Sequence, residues 1–203
     1  SDGDGILDGA EVLEGTNPLG NLIAQTGIVA STPTQSAAID IAAFNNLAAV
    51  ATGADGVTIF NVLSGLNPVR VATIDTDGNA QAVAISSNYV AVADGNAGIA
   101  VVDVSRPGNP VFSRQISTGG DARCIATDGL IAYVGLATGQ IVVADLASGA
   151  ILQRYSTGAG AIDDLVLGHE FLYVLKPGTL STHRLTGAVI VPSATIASPG
   201  SRS

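Results

Sequence analysis

The sequence of 203 residues lacks Trp and Met, and aromatic residues make up only 4% of it. Hydrophobic residues nevertheless reach 47%, which is enough for one domain with a substantial core. That core must be built from Val, Ile, Leu and Ala, which suit closely packed sheets. No apolar run approaches the ~20 residues that a helix needs to cross a bilayer. We therefore expect a folded domain without a membrane span.

Cysteine is nearly absent, since Cys124 is the single one. An intramolecular disulfide is therefore excluded, and disulfides give no information about the compartment. Cys124 lies in the alternating run ARCIAT. We interpret it as a small buried hydrophobe rather than a reactive thiol, because free cysteines are usually buried.

Basic residues are also few, with 8 Lys and Arg against 17 Asp and Glu, and the net charge is −9. Such a surface repels a phosphate backbone and an anionic membrane alike. We expect no nucleic-acid partner.

A repeated phrase organises the chain. It reads IAVVDVSRPGNPV at Ile99–Val111 and returns as VTIFNVLSGLNPV, IVVADLASGAIL and a degraded LSTHRLTGAVIV. Each copy is a β-branched run followed by a turn rich in Gly, Pro, Ser or Asn. The copies start at Val57, Ile99, Ile141 and Leu180, which gives spacings of 42, 42 and 39 residues. This is the period of a four-stranded propeller blade.

The sequence therefore predicts an all-β, propeller-like array of about four four-stranded blades. Near-continuous apolar middle strands indicate sheets that neighbouring blades cover on both faces. Residues 20–36 are a linker or a closing strand, and residues 197–203 are a tail. The predicted blades span residues 37–78, 79–120, 121–158 and 159–196.

The phrase resembles the LVIVD-repeat family of bacterial propellers. The closest match is carried by Ile99, Ala100, Val101, Val102, Asp103, Val104, Ser105, Pro107, Asn109 and Pro110. Asn61 and Arg184 replace the Asp in the first and fourth copies, while Asp145 keeps it in the third. The resemblance covers roughly residues 37–190. It implies a surface or secreted β-propeller and carries no known catalytic set.

Residues 1–19 have a different character from the repeats. Their carboxylates alternate around a Gly, which is how a short loop wraps a hard cation in oxygen ligands. The best register fills five of six ligand positions, and the first position falls before Ser1. The predicted calcium ligands are Asp2, Asp4, the Ile6 carbonyl, Asp8 and Glu11.

This stretch resembles a thrombospondin type 3 repeat, with its DGDGxxDxxE loop and GTNPL exit. The resemblance implies Ca²⁺ as cofactor, an extracellular or cell-surface location and a neighbouring repeat that has been cut away. An acidic, Gly-rich linker is the alternative interpretation.

Other acidic residues are weaker candidates. Asp103 and Asp145 end strands, where an Asp most often caps the following turn. Asp163 and Asp164 form the one acidic pair at an inner-strand position, where propeller channels are lined. Two carboxylates there could bind a cation or a polar ligand, or they form a solvated loop pair.

The two histidines give little evidence of catalysis. His169 is expected in a solvated hairpin turn, and neither His169 nor His183 has metal-ligand spacing to another candidate. A catalytic triad of Ser181, His183 and Asp163 can be assembled only by selecting its members to fit, since no sequence motif links them. We therefore predict no catalytic residues and no organic cofactor.

The sequence leaves ring closure open. Four blades lie at the lower limit for a propeller, and open sheets leave edges that invite pairing. The chain forms a compact four-blade ring, a half-ring completed by a second copy, or an open array. Leu22–Ala30 is a candidate closing strand.

The leading functional hypothesis is a non-catalytic, calcium-stiffened propeller module that mediates adhesion or protein assembly. Its partners are a protein or a glycan, with self-association possible. The alternatives are an accessory domain of a larger secreted enzyme and, with less support, a hydrolase that uses Asp163 or Asp164.

Overall fold

Sixteen strands form four antiparallel sheets in the computed structural model, which describes residues 31–34, 36–63 and 68–191. Sheet 1 contains β1 (Asp40–Phe44), β2 (Leu47–Ala51), β3 (Val57–Asn61) and β4 (Val69–Ile74). Sheet 2 contains β5 (Ala82–Ser86), β6 (Tyr89–Ala93), β7 (Ile99–Asp103) and β8 (Val111–Ile116). Sheet 3 contains β9 (Ala122–Asp128), β10 (Ile131–Leu136), β11 (Gln140–Asp145) and β12 (Ile151–Ser156). Sheet 4 contains β13 (Asp164–Leu167), β14 (Phe171–Lys176), β15 (Thr179–Thr186) and β16 (Val189–Val191).

Each sheet is a meander whose strands pair in chain order. Short loops make this possible, as at the hairpins after β1 and β5. Asn45 and Ser87 both have φ of 52° there, the left-handed conformation that tight hairpin turns require. Asn45–Asn46 and Ser87–Asn88 therefore form the turns of these two hairpins.

The sheets pack face to face in chain order through their first strands, so that β1, β5, β9 and β13 are the inner strands. We call the face toward the next sheet in the chain the forward face and the opposite one the back face. Three apolar layers result, between sheets 1 and 2, 2 and 3, and 3 and 4. Their buried side chains are mostly Val, Ile, Leu and Ala, as the composition predicts.

The repeat in the sequence is a repeat in space. The first residue of each copy of the phrase pairs with the same position of the preceding strand. The pairs are Val57 with Ala51, Ile99 with Ala93, Ile141 with Gly135 and Leu180 with Leu175. The first three lie on forward faces and are fully buried. Equivalent positions of the sheets can therefore be compared directly. Adding 42 to a residue number in sheet 1 or 2 gives the equivalent residue of the next sheet. Adding 40 to a residue number in β9 or β10 of sheet 3 gives the equivalent residue of β13 or β14 in sheet 4.

The two ends of the array differ from the middle. In the described ranges, sheets 1 and 4 do not form a packed interface like those between consecutive sheets. These residues thus form an open array. β14 alternates between buried and exposed residues, and most of β15 alternates between half-buried and exposed ones. The prediction of strands covered on both faces is correct for sheets 2 and 3 but wrong for sheet 4, because no further sheet of the described chain packs on it.

Candidate functional site

The predicted calcium ligands Asp2, Asp4, Ile6, Asp8 and Glu11 lie outside the residues that the structure describes, as does the candidate closing strand Leu22–Ala30. Within residues 31–34, 36–63 and 68–191, no three His, Cys, Asp or Glu side chains are grouped to hold a metal ion. The described residues also include no helix that is long and apolar enough to cross a membrane.

Asp103 and Asp145 cap turns, as their positions predict. Asp103 Oδ1 accepts a hydrogen bond from the Ser105 N–H at 2.8 Å. Asp145 Oδ1 accepts from the Ser148 N–H and the Ser148 hydroxyl, both at 2.7 Å. Hydrogen bonds to a carboxylate favour its charged form, so the pKa of both groups is lowered from the ordinary value. These carboxylates stabilise turns.

The acidic pair is at the predicted inner position, and its two members differ. Asp163 immediately precedes β13, and its N–H donates to the Leu175 carbonyl at 2.9 Å. Asp164 is the first residue of β13, and its Oδ1 accepts a hydrogen bond from the Leu165 N–H at 2.8 Å. Polar side chains also immediately precede the inner strands of sheets 2 and 3, where Gln81 Nε2 donates to Asp121 Oδ1 at 3.1 Å. The inner strands therefore present a polar lining.

Ser181 and His183 lie together on the back face of sheet 4, facing sheet 3. Ser181 Oγ and His183 Nε2 are 2.9 Å apart, and His183 Nδ1 lies 3.2 Å from the Tyr155 hydroxyl. Tyr155 and His183 also pack edge to face, with ring centroids 5.4 Å apart. Among the described residues, the hydrogen-bond partners of the imidazole are thus Ser181 and Tyr155, and Asp163 is not one of them.

The environment of His183 favours the neutral imidazole. Burial, followed by the charge of Lys176, lowers its pKa. A neutral imidazole can accept a proton from Ser181, but the third group needed to orient it in a triad is a phenol here instead of a carboxylate. We interpret the cluster as packing between sheets 3 and 4.

One buried carboxylate was not predicted from the sequence. Asp94, in the loop after β6, is fully buried. Its Oδ1 accepts from the Thr76 hydroxyl at 2.7 Å and its Oδ2 from Gln115 Nε2 at 3.2 Å. Burial raises the pKa of Asp94, although these hydrogen bonds oppose the shift. The sequence shows only an Asp at the end of a strand, which is also the pattern of a turn cap.

Cys124 is buried, as expected. Its Sγ lies 3.8 Å from the Ile162 carbonyl oxygen, and burial raises the pKa of the thiol to about 12. A Cβ on Gly135 would clash with this Sγ and would lie 2.7 Å from Ile162 Cγ2. Gly135 therefore provides the space that Cys124 and Ile162 occupy between sheets 3 and 4.

The forward face of sheet 4 is an exposed surface that carries many apolar side chains. Residues paired across β13, β14, β15 and β16 lie on the same face. Seven of them are large hydrophobics that remain exposed: Val166, Phe171, Tyr173, Leu175, Leu180, Val189 and Val191. Thr182, Arg184 and Thr186 share this face with them. Exposed hydrophobics grouped on one face mark an interaction site more often than scattered single residues do.

The back face of sheet 1 is partly covered. Residues 31–34 lie beside it, and the Thr32 hydroxyl donates to the Pro68 carbonyl at 2.6 Å. Between this segment and the sheet is an apolar cavity of about 200 Å³, lined in part by Val50 and Phe60. The inner strand is less covered, since Ile41 is 66% exposed.

Solved structures with the same arrangement identify the class of fold as a β-propeller. The chain is similar to the computationally designed Ika4 protein, with a TM-score of 0.65 and 16% identity over 80% of this chain and 100% of that one. BamB from Moraxella catarrhalis matches at a TM-score of 0.63 with 17% identity, over 77% and 49% of the two chains. AztD from Citrobacter koseri matches at 0.58 with 16% identity, over 76% and 46%. The chain spans about half the length of BamB and AztD.

Family models identify two repeat types within this propeller chain. Residues 77–118 match the LVIVD repeat, and residues 1–19 match the bacterial TSP3 repeat. Both families inferred from the sequence are thereby confirmed, the LVIVD repeat over residues 77–118 of the roughly 37–190 expected. The curated proteins contain no match to the chain.

Proposed function

We propose that the chain is a non-catalytic, calcium-binding propeller module that acts outside the cell in adhesion or protein assembly. The observation that carries the proposal is the bacterial TSP3 repeat at residues 1–19, a calcium-binding repeat type, on a chain that also contains a propeller. Its extracellular or cell-surface location and its protein or glycan partner are part of this proposal.

The donor set of the loop fits calcium. Asp2, Asp4, Asp8 and Glu11 would supply carboxylate oxygens and Ile6 a backbone carbonyl, which are the ligands that Ca²⁺ takes. Calcium would neutralise carboxylates that otherwise repel one another and would tie the loop into one conformation. We propose residues 1–19 as the calcium repeat, 20–36 as linker or closing strand, 37–196 as the propeller and 197–203 as tail.

The binding role is supported by the described side chains. Asp103 and Asp145 are engaged in turns, and Ser181 and His183 pack against Tyr155. Polar side chains line the inner strands, and apolar ones cover the forward face of sheet 4. These surfaces are suited to binding another molecule.

Calcium titration tests the proposal. We expect direct binding by titration calorimetry and a higher melting midpoint with Ca²⁺ than with a chelator, because a ligand bound only by the native state stabilises it. Glu11→Gln should weaken binding at least about tenfold, since the variant loses the bidentate ligand. Glu14→Gln, outside the ligand set, is the matched control. Binding that survives Glu11→Gln, or no binding at all, would contradict the calcium assignment.

A panel of immobilised glycans and extracellular proteins tests the binding role. Retention of the wild-type chain on one class of ligand supports it, and the class identifies the partner. An inert chain on the whole panel would argue for a structural spacer.

A further inference from the structure

The exposed forward face of sheet 4 is the repeat equivalent of faces that are buried inside the chain. Tyr173 pairs with Val166 as Tyr133 pairs with Ala126 in sheet 3. Tyr133 is 1% exposed because sheet 4 covers it, whereas Tyr173 is 36% exposed. The same type of interface occurs three times among the described residues, and within them sheet 4 presents only one of its two halves.

The missing half has its own equivalent in sheet 1. The back face of sheet 2, which packs on sheet 1, places Val83 and Ile85 on the inner strand. The equivalent residues of sheet 1, 42 positions earlier in the chain, are Ile41 and Ala43 of β1, and both are exposed. Residues 31–34 lie over Val50 and Phe60 on the next two strands. Ile41 lines the same cavity but is still 66% exposed, so the inner strand is only partly covered.

Asp164 indicates which backbone group would contact sheet 4 from a further sheet. Its repeat equivalent is Asp40, whose Oδ1 likewise accepts from the next residue, the Ile41 N–H, at 2.8 Å. Asp40 Oδ2 accepts a second hydrogen bond across the interface, from the Val83 N–H of sheet 2 at 2.9 Å. Asp164 is therefore arranged to accept the backbone N–H of the inner strand of a further sheet. In sheet 1 the equivalent backbone group is the Ile41 N–H, which donates to Asp40 Oδ1 within its own chain and would have to be shared with Asp164 across the contact.

Side-chain volumes agree with the same pairing. Gly135 on β10 faces the large Ile162 of sheet 4, a small residue against a large one. The equivalent of Gly135 in sheet 4 is Leu175, and the equivalent of Ile162 before β1 is Ala38. At the open ends the large residue is therefore on sheet 4 and the small one beside sheet 1. Both are exposed. A large residue against a small one conserves the packed volume, which is what close packing demands.

From these observations we propose that two copies of the chain associate head to tail, with the inner strand β1 of each copy packed on the forward face of sheet 4 of the other. A heterologous contact closes into a ring when its rotation allows. The chain aligns with about half of BamB and of AztD, so two copies together match about the length of one such propeller chain. This inference rests on the sheet packing and is independent of the proposed calcium and partner binding.

Mass in solution tests the proposal. We expect light scattering to give about 40 kDa, twice the 20.1 kDa of one chain. Val166→Arg and Ile41→Arg should each raise the dimer dissociation constant at least about tenfold, because each buries a charge at both copies of the contact. Val111→Arg is the matched control, since Val111 is 53% exposed against 55% for Val166 but lies on the outer strand of sheet 2. Circular dichroism checks that each variant is folded.

A cross-link fixes the orientation. Mixing Ala38→Cys with Leu175→Cys under oxidising conditions should yield a disulfide-linked dimer, while either variant alone should give much less of it. A monomer at all concentrations would overturn the proposal. So would a dimer that Val166→Arg dissociates but Ile41→Arg leaves intact, because that pattern means a symmetric contact between two copies of sheet 4. Dissociation by Val111→Arg to the same extent would overturn it as well.

Discussion

Sheets 3 and 4 hold the same repeat phrase in opposite environments. Ile141 starts the phrase in sheet 3 and is fully buried, whereas Leu180 starts it in sheet 4 and is 68% exposed. Both residues pair with the corresponding position of the preceding strand, so the local backbone does not explain the difference. The two sheets differ in their neighbours: sheet 4 covers the forward face of sheet 3, and no sheet of the described chain covers that of sheet 4.

The first prediction compares these two residues directly. Ile141→Ala should destabilise the fold by ~2–5 kcal/mol, since it leaves a cavity between two sheets. Leu180→Ala should change stability by less than about 0.5 kcal/mol, as is usual for an exposed site. Urea denaturation of both variants in an Ile41→Arg background keeps association between copies out of the comparison. Equal losses at the two positions would mean that the forward face of sheet 4 is covered within one chain.

The second prediction concerns the closest approach between sheets 3 and 4. Gly135→Ala should cost ~1–3 kcal/mol, because the added methyl group overpacks against Cys124 and Ile162. Adding Cys124→Ala should recover part of the loss, since the smaller side chain makes room for it. A double-mutant cycle by urea denaturation measures this coupling. Strictly additive losses would show that the contact with Cys124 is not the cause.

The third prediction, with the smallest expected effect on stability, concerns the repeat position that holds Asp94 in sheet 2 and Lys176 in sheet 4. Asp94 in sheet 2 is fully buried, while its equivalent in sheet 4, Lys176, directs its Nζ at the carbonyls of Thr157, Gly158 and Ala159. The raised pKa of Asp94 means that the folded state binds its proton more tightly than the unfolded state does. Stability from this group is therefore fully present below pH 3.8 and is lost as the pH rises through the raised pKa.

Asp94→Asn should consequently gain stability relative to the wild type as the pH rises. The asparagine keeps an acceptor for Thr76, but its amide group replaces the oxygen that accepts from Gln115 Nε2; this loss does not vary with pH, so it leaves the pH dependence intact. Melting midpoints of both proteins between pH 4 and pH 7 measure the difference. A difference that is constant over this range would show that ionisation of Asp94 carries no penalty.

Much of the fold could be predicted because its signals are local. Strand positions follow from β-branched runs, and hairpins follow from residues such as Asn45 and Ser87 that tolerate a positive φ. The turn-capping role of Asp103 and Asp145 was also predictable, since their hydrogen bonds reach only two or three residues along the chain. The burial of Asp94 was not, because its partners Thr76 and Gln115 are 18 and 21 residues away.

The sequence by itself determined the repeat, its spacing and therefore the β-propeller class, because strand and turn preferences operate within a few residues. It also determined the TSP3 repeat at residues 1–19. Only the tertiary structure decided which faces are covered, because burial depends on the neighbouring sheet, which lies about 40 residues away in the chain. For that reason the same pattern is a packed core in sheet 3 and an exposed apolar surface in sheet 4.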